Sequence, residues 1–342
     1  MTSSPAFTFL PLGAIIQEFR VAGLNIVQGF ATEEQYKQNN APHFGETIGR
    51  VANRIKDAKI SLNGKSYNLA ANNGPNNLHG GNKGWGTKTW YGLKPIGLRS
   101  VEGLEGEMQG GESVRFTLRS EDGDEGFPGD VDASVVYTTG TQTTEDGKEV
   151  AVLAIDYEAQ LVGGADETAI NMTNHSYFNL SGEPTIADTQ VELSTNKYLV
   201  VDDGGIPSGE IKPYPGVEAN KSFVMTQSEP DIDDCFVFDT SQNMIDTRSK
   251  PLKKLVSAYH PASKIHLEVY STEPAFQFYT GKYIEVPAVD GLPARGKRSG
   301  FCVEPSRYVD AANNEEWRDQ VVLKKGETYG SRIVYRAWSD EN

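Results

Sequence analysis

Cysteine is almost absent. Cys235 and Cys302 are the two in 342 residues, too few for a disulfide framework in a chain of this size, and neither lies in a Cys-x-x-Cys or Cys/His spacing suited to zinc. Free thiols in a reducing, cytoplasmic compartment are therefore expected, where the sequons at Asn171, Asn174, Asn179 and Asn220 would never meet glycosylation. Long hydrophobic runs are missing too. The opening MTSSPAFTFLPLGAII has no basic residue ahead of its apolar ones, and Pro5, Pro11 and Gly13 interrupt it well short of a membrane span. Neither a signal peptide nor an anchor is read there, and no membrane partner is expected. Basic charge is in deficit: 32 Lys and Arg against 47 Asp and Glu leave a net charge of -15, which argues against nucleic acid or any other polyanion as a partner.

What is present points to strands. Glycine (35), tyrosine (15) and phenylalanine (14), with a mean hydropathy of -0.48, describe a turn-rich and aromatic-rich chain. Strand-like alternation covers 6–10 and 14–21, then 58–62 and 65–69 around Asn63-Gly64, a dipeptide that favours a type I′ hairpin. Further strands are read at 113–120, 131–139, 150–161, 189–201, 265–272, 275–280, 300–304 and 331–338. One short helix fits the polar segment 31–40, and 95–112 reads as a solvated loop rich in Gly and Glu. Many strands and almost no helix mean an all-β sandwich or barrel. With no repeat and no Pro/Ser linker, residues 1–342 are taken as one domain. Two motifs are set aside. Asp122, Asp124 and Gly126 lack the later Glu of a calcium loop and read as a turn, while GLPARGKR at 291–298 puts Arg298 where a phosphate loop needs Ser or Thr and reads as a surface loop.

The stretch NMTNHSYFNLSG, residues 171–182, sets a histidine among strand formers and small hydrogen-bonding residues. Extended geometry would place His175, Tyr177 and Asn179 on one face and Asn174, Ser176 and Phe178 on the other. A wet imidazole there exchanges protons near neutrality, although a lone strand histidine more often just satisfies one hydrogen bond. Other segments also hold polar groups where a β protein favours apolar ones. In FGETIGRVANRI, Asn53 and Arg54 precede the hairpin, and Arg54 offers a fork of donors; a surface salt bridge is its plainer role. In NNGPNNLHGG, His79 precedes Gly80 and Gly81, which let a ligand or another backbone come close; a loop-packed histidine is the alternative. Asp233 and Asp234 in PDIDDCFVF are either a grip for vicinal hydroxyls or a strand-start turn. Gln277 in AFQFYTG lies opposite Phe276 and Phe278, and Glu304 in FCVEPS lies opposite Phe301 and Val303.

Together GRVANRI, NLHGG, TNHSYFNL, QFYTG and FCVEP resemble the aldose 1-epimerase (galactose mutarotase) family, in its order and approximate spacing and over nearly the whole chain. The resemblance implies a large antiparallel β-supersandwich with an open sugar cleft and interconversion of the anomers of free aldohexoses such as galactose and glucose. It implies His175 as general acid and Glu304 as general base, with Arg54, His79, Asp233 and Gln277 binding hydroxyls and Asn53 beside them. Neither cofactor nor metal is required, the partner is a monosaccharide, and monomer and homodimer both stay open. One departure stands out: many members carry Asp-His where this chain has Asp233-Asp234, so the binding carboxylate is open by one residue. A non-catalytic sugar binder on the same fold would keep the grip and lose His175 or Glu304. A hexose-phosphate mutarotase would add Arg or Lys beside these motifs, where only Arg54 stands, and a glycosidase would need two carboxylates.

Overall fold

Alternating apolar and polar residues build two large antiparallel sheets in the computed structural model, which describes residues 6–241 and 243–341. The larger has nine strands in the order Phe223–Val224, Gln190–Leu193, Lys253–His260, Ile265–Ser271, Thr328–Ser339, Glu149–Gly163, Asp130–Thr143, Gln109–Ser120 and Tyr91–Leu98. The smaller has six: Tyr177–Phe178, Phe301–Ser306, Ala275–Tyr279, Asp233–Val237, Lys197–Val201 and Pro207–Pro213. Leu153, Ile155, Tyr157 and Tyr335 of the larger sheet share one core with Phe178, Phe236, Phe276, Phe278, Phe301 and Val303 of the smaller. Each fully buried aromatic or branched side chain there contributes about 1.5–3 kcal/mol. Phe178 touches both sheets, its ring 5.2 Å from Tyr335 and 5.9 Å from Phe301. The smaller sheet thus spends one face on this core, while its other face carries Asp233, Gln277 and Glu304 between two smaller clusters that hold Cys235 and Val237 on one side and Tyr177, Tyr279 and Cys302 on the other.

Local chemistry explains the connections that sequence reasoning placed well. Asn63 and Gly64 have φ of 50° and 71°, the left-handed pair a type I′ turn requires, between Lys59–Leu62 and Lys65–Asn68. The helix is Glu33–Asn39, opened by a Thr32/Gln35 capping box.

Other expectations are corrected. The 171–182 stretch is not one strand: Thr173–Asn174 pairs with Thr47–Ile48 and Tyr177–Phe178 with Phe301–Ser306, with His175 and Ser176 between them. Asn174 Oδ1 accepts from Ser176 N at 3.0 Å, a local side-chain turn that outcompetes the ladder. Asn179 leaves the His175 face to donate to the Glu183 and Ser299 carbonyls. The strand expected over 189–201 is two, Gln190–Leu193 and Lys197–Val201, in different sheets. Thr195 turns the chain, its hydroxyl donating to Val237 O at 3.0 Å. The expected loop 95–112 shrinks to 99–108, since Tyr91–Leu98 and Gln109–Ser120 extend into it; register shifts near Gly97 in the edge strand and near Gly110 and Gly111 in its neighbour accommodate the glycines. The segment 291–298 is a mostly exposed loop between strands, as expected, but its two arginines point inward: Arg295 donates to Gly29 O, and Arg298 to the carbonyls of Thr226, Pro230 and Glu229.

One buried ion pair fastens the smaller sheet to its surroundings. Arg307, directly after the strand Phe301–Ser306, pairs with Glu273, both side chains being fully buried, and donates to the carbonyls of Gln320, Ile245 and Gly330. Removing one partner leaves an uncompensated charge. Arg307→Ala is therefore expected to lower stability in urea unfolding by about 3–5 kcal/mol, whereas Lys212→Ala, which breaks the exposed and solvent-screened pair with Glu210, should leave the unfolding midpoint essentially unchanged.

Candidate active site

Strand register decides which side chains occupy the free face of the six-stranded sheet. Asp233, Tyr279, Cys302 and Tyr177 lie opposite one another in one row, and Cys235, Gln277 and Glu304 in the next. Asp233, Gln277 and Glu304 therefore share the face turned away from Phe276, Phe278, Phe301 and Val303. Asp234 is registered with Phe278, and it interacts with Tyr214 on the other side. Of the two adjacent carboxylates, Asp233 is the one on the cavity face.

Loops cover this face and leave a cavity of about 230 Å³. His175, Glu304, Asn53, Arg54, His79, Asp233 and Gln277, all singled out from the sequence, line it. A larger groove, about 650 Å³, lies on the nine-stranded sheet. Its carboxylates are already paired, Asp132 with Arg119, Asp156 with Arg332 and Glu158 with Arg248. Chemistry, not volume, singles out the smaller cavity.

The polar groups there form a braced relay. Asn53 Nδ2 donates to Gln277 Oε1 at 3.0 Å, and Gln277 Nε2 donates to Asp233 Oδ1 at 2.8 Å. Asn53 Oδ1 accepts from Arg54 N at 2.9 Å, and Arg54 Nε donates to Asn73 Oδ1 at 3.1 Å. Asn53 N donates to His79 Nδ1 at 3.2 Å and His79 N to Asn53 O at 3.0 Å, so the two loops hold each other. Asn53 and His79 have φ of 59° and 50°, left-handed conformations that cost energy in a non-glycine residue and cluster at functional sites. Gly80 does admit a close approach, but of backbone: a Cβ there would lie 2.1 Å from Gly49 O.

His175 Nε2 lies 3.5 Å from Glu304 Oε1, and each residue is 4 % exposed. Burial disfavours charge on both. It lowers the His175 imidazole to about 3, aided by the nearby His43, and it pushes the Glu304 carboxyl well above its usual range, with Asp233 adding repulsion and Arg54 opposing it. Burial thus favours a neutral pair that shares one proton between Oε1 and Nε2. Its apparent pKa values belong to the pair. His175 Nδ1 is 3.6 Å from the Cys302 thiol, which burial keeps protonated. Burial also raises Asp233, against its bond from Gln277.

His79, His175 and Glu304 place ligand-type atoms within 4.8 Å of one another, yet their chemistry does not suit a metal. Burial holds His79 neutral, and its Nδ1 accepts from Asn53 N, so its proton sits on Nε2. A ligand needs a lone pair at the atom facing the ion, and His175 with Glu304 alone falls short of the three protein ligands of a catalytic zinc site.

Sequence reasoning missed His43, Tyr177 as a wall, Tyr279, Tyr283 and Glu285, which also line the cavity. His43 stands one residue before the FGETIGRVANRI segment, and its proximity to His79 and His175 is purely tertiary. Tyr279 was readable as the neighbour two places beyond Gln277 on one strand face.

A family profile described as aldose 1-epimerase matches residues 5–336. The Sus scrofa galactose mutarotase is 36% identical over 308 residues, covering 89% of this chain and 81% of its own length. The bifunctional protein gal10 of Schizosaccharomyces pombe is 37% identical over 338 residues; the chain spans less than half of it, 43%, although 96% of this chain is covered. Among solved structures, a GalM/aldose epimerase homologue from C. elegans superposes with a TM-score of 0.79 at 26% identity, covering 97% of this chain and 95% of that one.

The burial of His175 has a direct spectroscopic consequence. Its ring should stay neutral far below the usual imidazole range and charge only near about 3, whereas an exposed histidine charges below about 6.5. A nitrogen-detected NMR titration in which the His175 ring charges near 6.5 would contradict the desolvated geometry.

Proposed function

The chain belongs to the aldose 1-epimerase family, and from that premise we propose that it interconverts the α and β anomers of free aldohexoses such as galactose and glucose by general acid/base catalysis. The observation that carries this reading is the His175–Glu304 pair, 3.5 Å apart at the cavity floor. Ring opening needs one proton removed and one delivered. In the sugar complex the shared proton moves from Glu304 Oε1 onto His175 Nε2; Glu304, now a carboxylate, takes the proton from the C1 hydroxyl, His175 gives its proton to the ring oxygen, and the electrons of the breaking C1–ring-oxygen bond go to that oxygen as C1 becomes a carbonyl. The pair starts and ends with one proton. It passes from an ion pair to a neutral pair, the direction that burial favours. An imidazolium that holds its proton weakly is also a strong donor toward a weakly basic ring oxygen. Rotation about C1–C2 and reclosure by the reverse transfers complete the exchange.

The remaining groups fit a polyol. Asp233 has one oxygen engaged by Gln277 and one left for a hydroxyl, and the His79 Nε2–H and the outer Arg54 nitrogens are donors. Holding the C1 hydroxyl and ring oxygen against two fixed groups supplies orientation as well as proton transfer. A free monosaccharide suits this lining better than its phosphate, because among the described residues Arg54 is the single Arg or Lys on it and a dianion needs convergent cations.

Three measurements test the reading. Glu304→Gln keeps shape and hydrogen bonding but cannot accept the proton, so polarimetry should show kcat reduced by about 10² or more with sugar binding retained. Unaltered turnover with a lowered melting temperature would reduce Glu304 to a structural role. Asp233→Asn should weaken galactose binding in calorimetry more than Asp234→Asn, and the reverse order would move the grip to the other carboxylate. Glucose should exceed glucose 6-phosphate in kcat/KM by at least about tenfold; parity would favour a sugar-phosphate mutarotase.

A further inference from the structure

The cavity holds a third imidazole that the acid/base pair does not use. His43 Nδ1 is 2.8 Å from Glu46 Oε2, and Glu46 is buried, 4 % exposed. The other Glu46 oxygen accepts from Asn40 Nδ2 at 2.8 Å, while Asn40 Oδ1 accepts from Phe44 N at 2.8 Å, so the whole 40–46 loop is laced around this carboxylate. Gly86 makes room for it, since a Cβ there would lie 2.0 Å from Glu46 Oε2. His43 itself has φ of 68°, a left-handed conformation the loop sustains while the ring lines the cavity. The ring centroid is 5.2 Å from that of His79 and 5.7 Å from that of His175. With Nδ1 engaged by Glu46, Nε2 has no protein partner among the described residues.

We propose that His43, oriented by the buried Glu46 carboxylate, is a further substrate-binding residue whose Nε2–H donates a charge-assisted hydrogen bond to a hydroxyl of the sugar. The inference rests on the mutarotase reading above and adds a binding group that none of the motifs contains. Charge is the reason a histidine serves here. Burial by itself would lower the His43 pKa, but the Glu46 charge and hydrogen bond outweigh it and raise it above the usual imidazole value. The titratable groups that face it compete little for the proton: His79 and His175 are both held neutral by burial. Glu285, and Asp233 and Glu304 beside Arg54, line other parts of the same cavity. His43 thereby supplies a second cation in a lining otherwise rich in acceptors. Its charge also opposes protonation of His175, which sharpens the acidity of that donor.

A charge-assisted hydrogen bond contributes more than a neutral one, and this one weakens as His43 loses its proton. For wild type, galactose KM should be lowest below the His43 pKa and rise as pH climbs through it. His43→Gln should raise KM about tenfold at about pH 6, lower kcat by less than about threefold, and lose that rise with pH. Glu46→Gln should shift the rise to lower pH, because burial then acts on His43 unopposed; a melting curve on the same sample confirms that the variant is folded. Equal KM and equal pH dependence in wild type and His43→Gln would overturn the proposal. So would a loss confined to kcat, which would make His43 act through His175 alone. Calorimetry with galactose reads the same contrast without turnover. A wild type that binds sugar but does not equilibrate its anomers would fault the catalytic reading, and the proposal would then stand or fall on the affinity lost in His43→Gln.

Discussion

The register between Ala275–Tyr279 and Phe301–Ser306, which sets Gln277 opposite Glu304, is the constraint on which the rest of the molecule depends. A slip of one residue would turn Gln277 and Glu304 into the core and Phe276, Phe278 and Val303 into the cavity. Several buried aromatic side chains at about 1.5–3 kcal/mol each resist that slip. Core packing thus holds the polar face in place without touching it. The cavity's geometry is a by-product of hydrophobic alternation, and it is as rigid as the core behind it.

What surrounds the sheet is held by arginines that lie away from the cavity. Arg50, 2 % exposed, donates to the carbonyls of Pro128, Ser120 and Glu121 and to the Ser120 hydroxyl, fixing the loop that goes on to present Asn53 and Arg54. Arg307 does the same beyond Glu304. Both guanidiniums satisfy carbonyls of irregular segments that no ladder reaches, which is what a planar five-donor group does well. The left-handed backbone at His43 is sustained by the bonds among Asn40, Phe44 and Glu46, and that at Asn53 and His79 by the bonds these two residues make to each other. Its cost of roughly 1–3 kcal/mol per residue is offset by bonds made elsewhere in the loops.

Desolvation then gives the cavity its chemistry. The same burial that lowers His175 raises Glu304, so a base and an acid of very different solution strengths are brought to share one proton. Glu46 alters this balance locally, raising the His43 pKa while burial lowers those of its two imidazole neighbours. Three histidines within a few ångströms therefore have three different electrostatic settings, decided by which carboxylate, if any, each one meets.

Much of this was legible in the chain itself. Period-two alternation and Asn63-Gly64 determined an all-β fold with a type I′ hairpin, and the motifs around Asn53, Arg54, His79, His175, Asp233, Gln277 and Glu304 named residues that line one cavity. Alternation is local, and so is a turn dipeptide, which is why both can be read from neighbours. Tertiary structure alone decided the break at His175–Ser176, where a side-chain turn displaced the strand, and the division of 189–201 between two sheets. It also decided between Asp233 and Asp234, because only the pairing with Ala275–Tyr279 shows which of two adjacent carboxylates faces the cavity. His43 was invisible for the same reason: its partner Glu46 is three residues away, but His79 and His175 reach it only when distant segments close over the sheet.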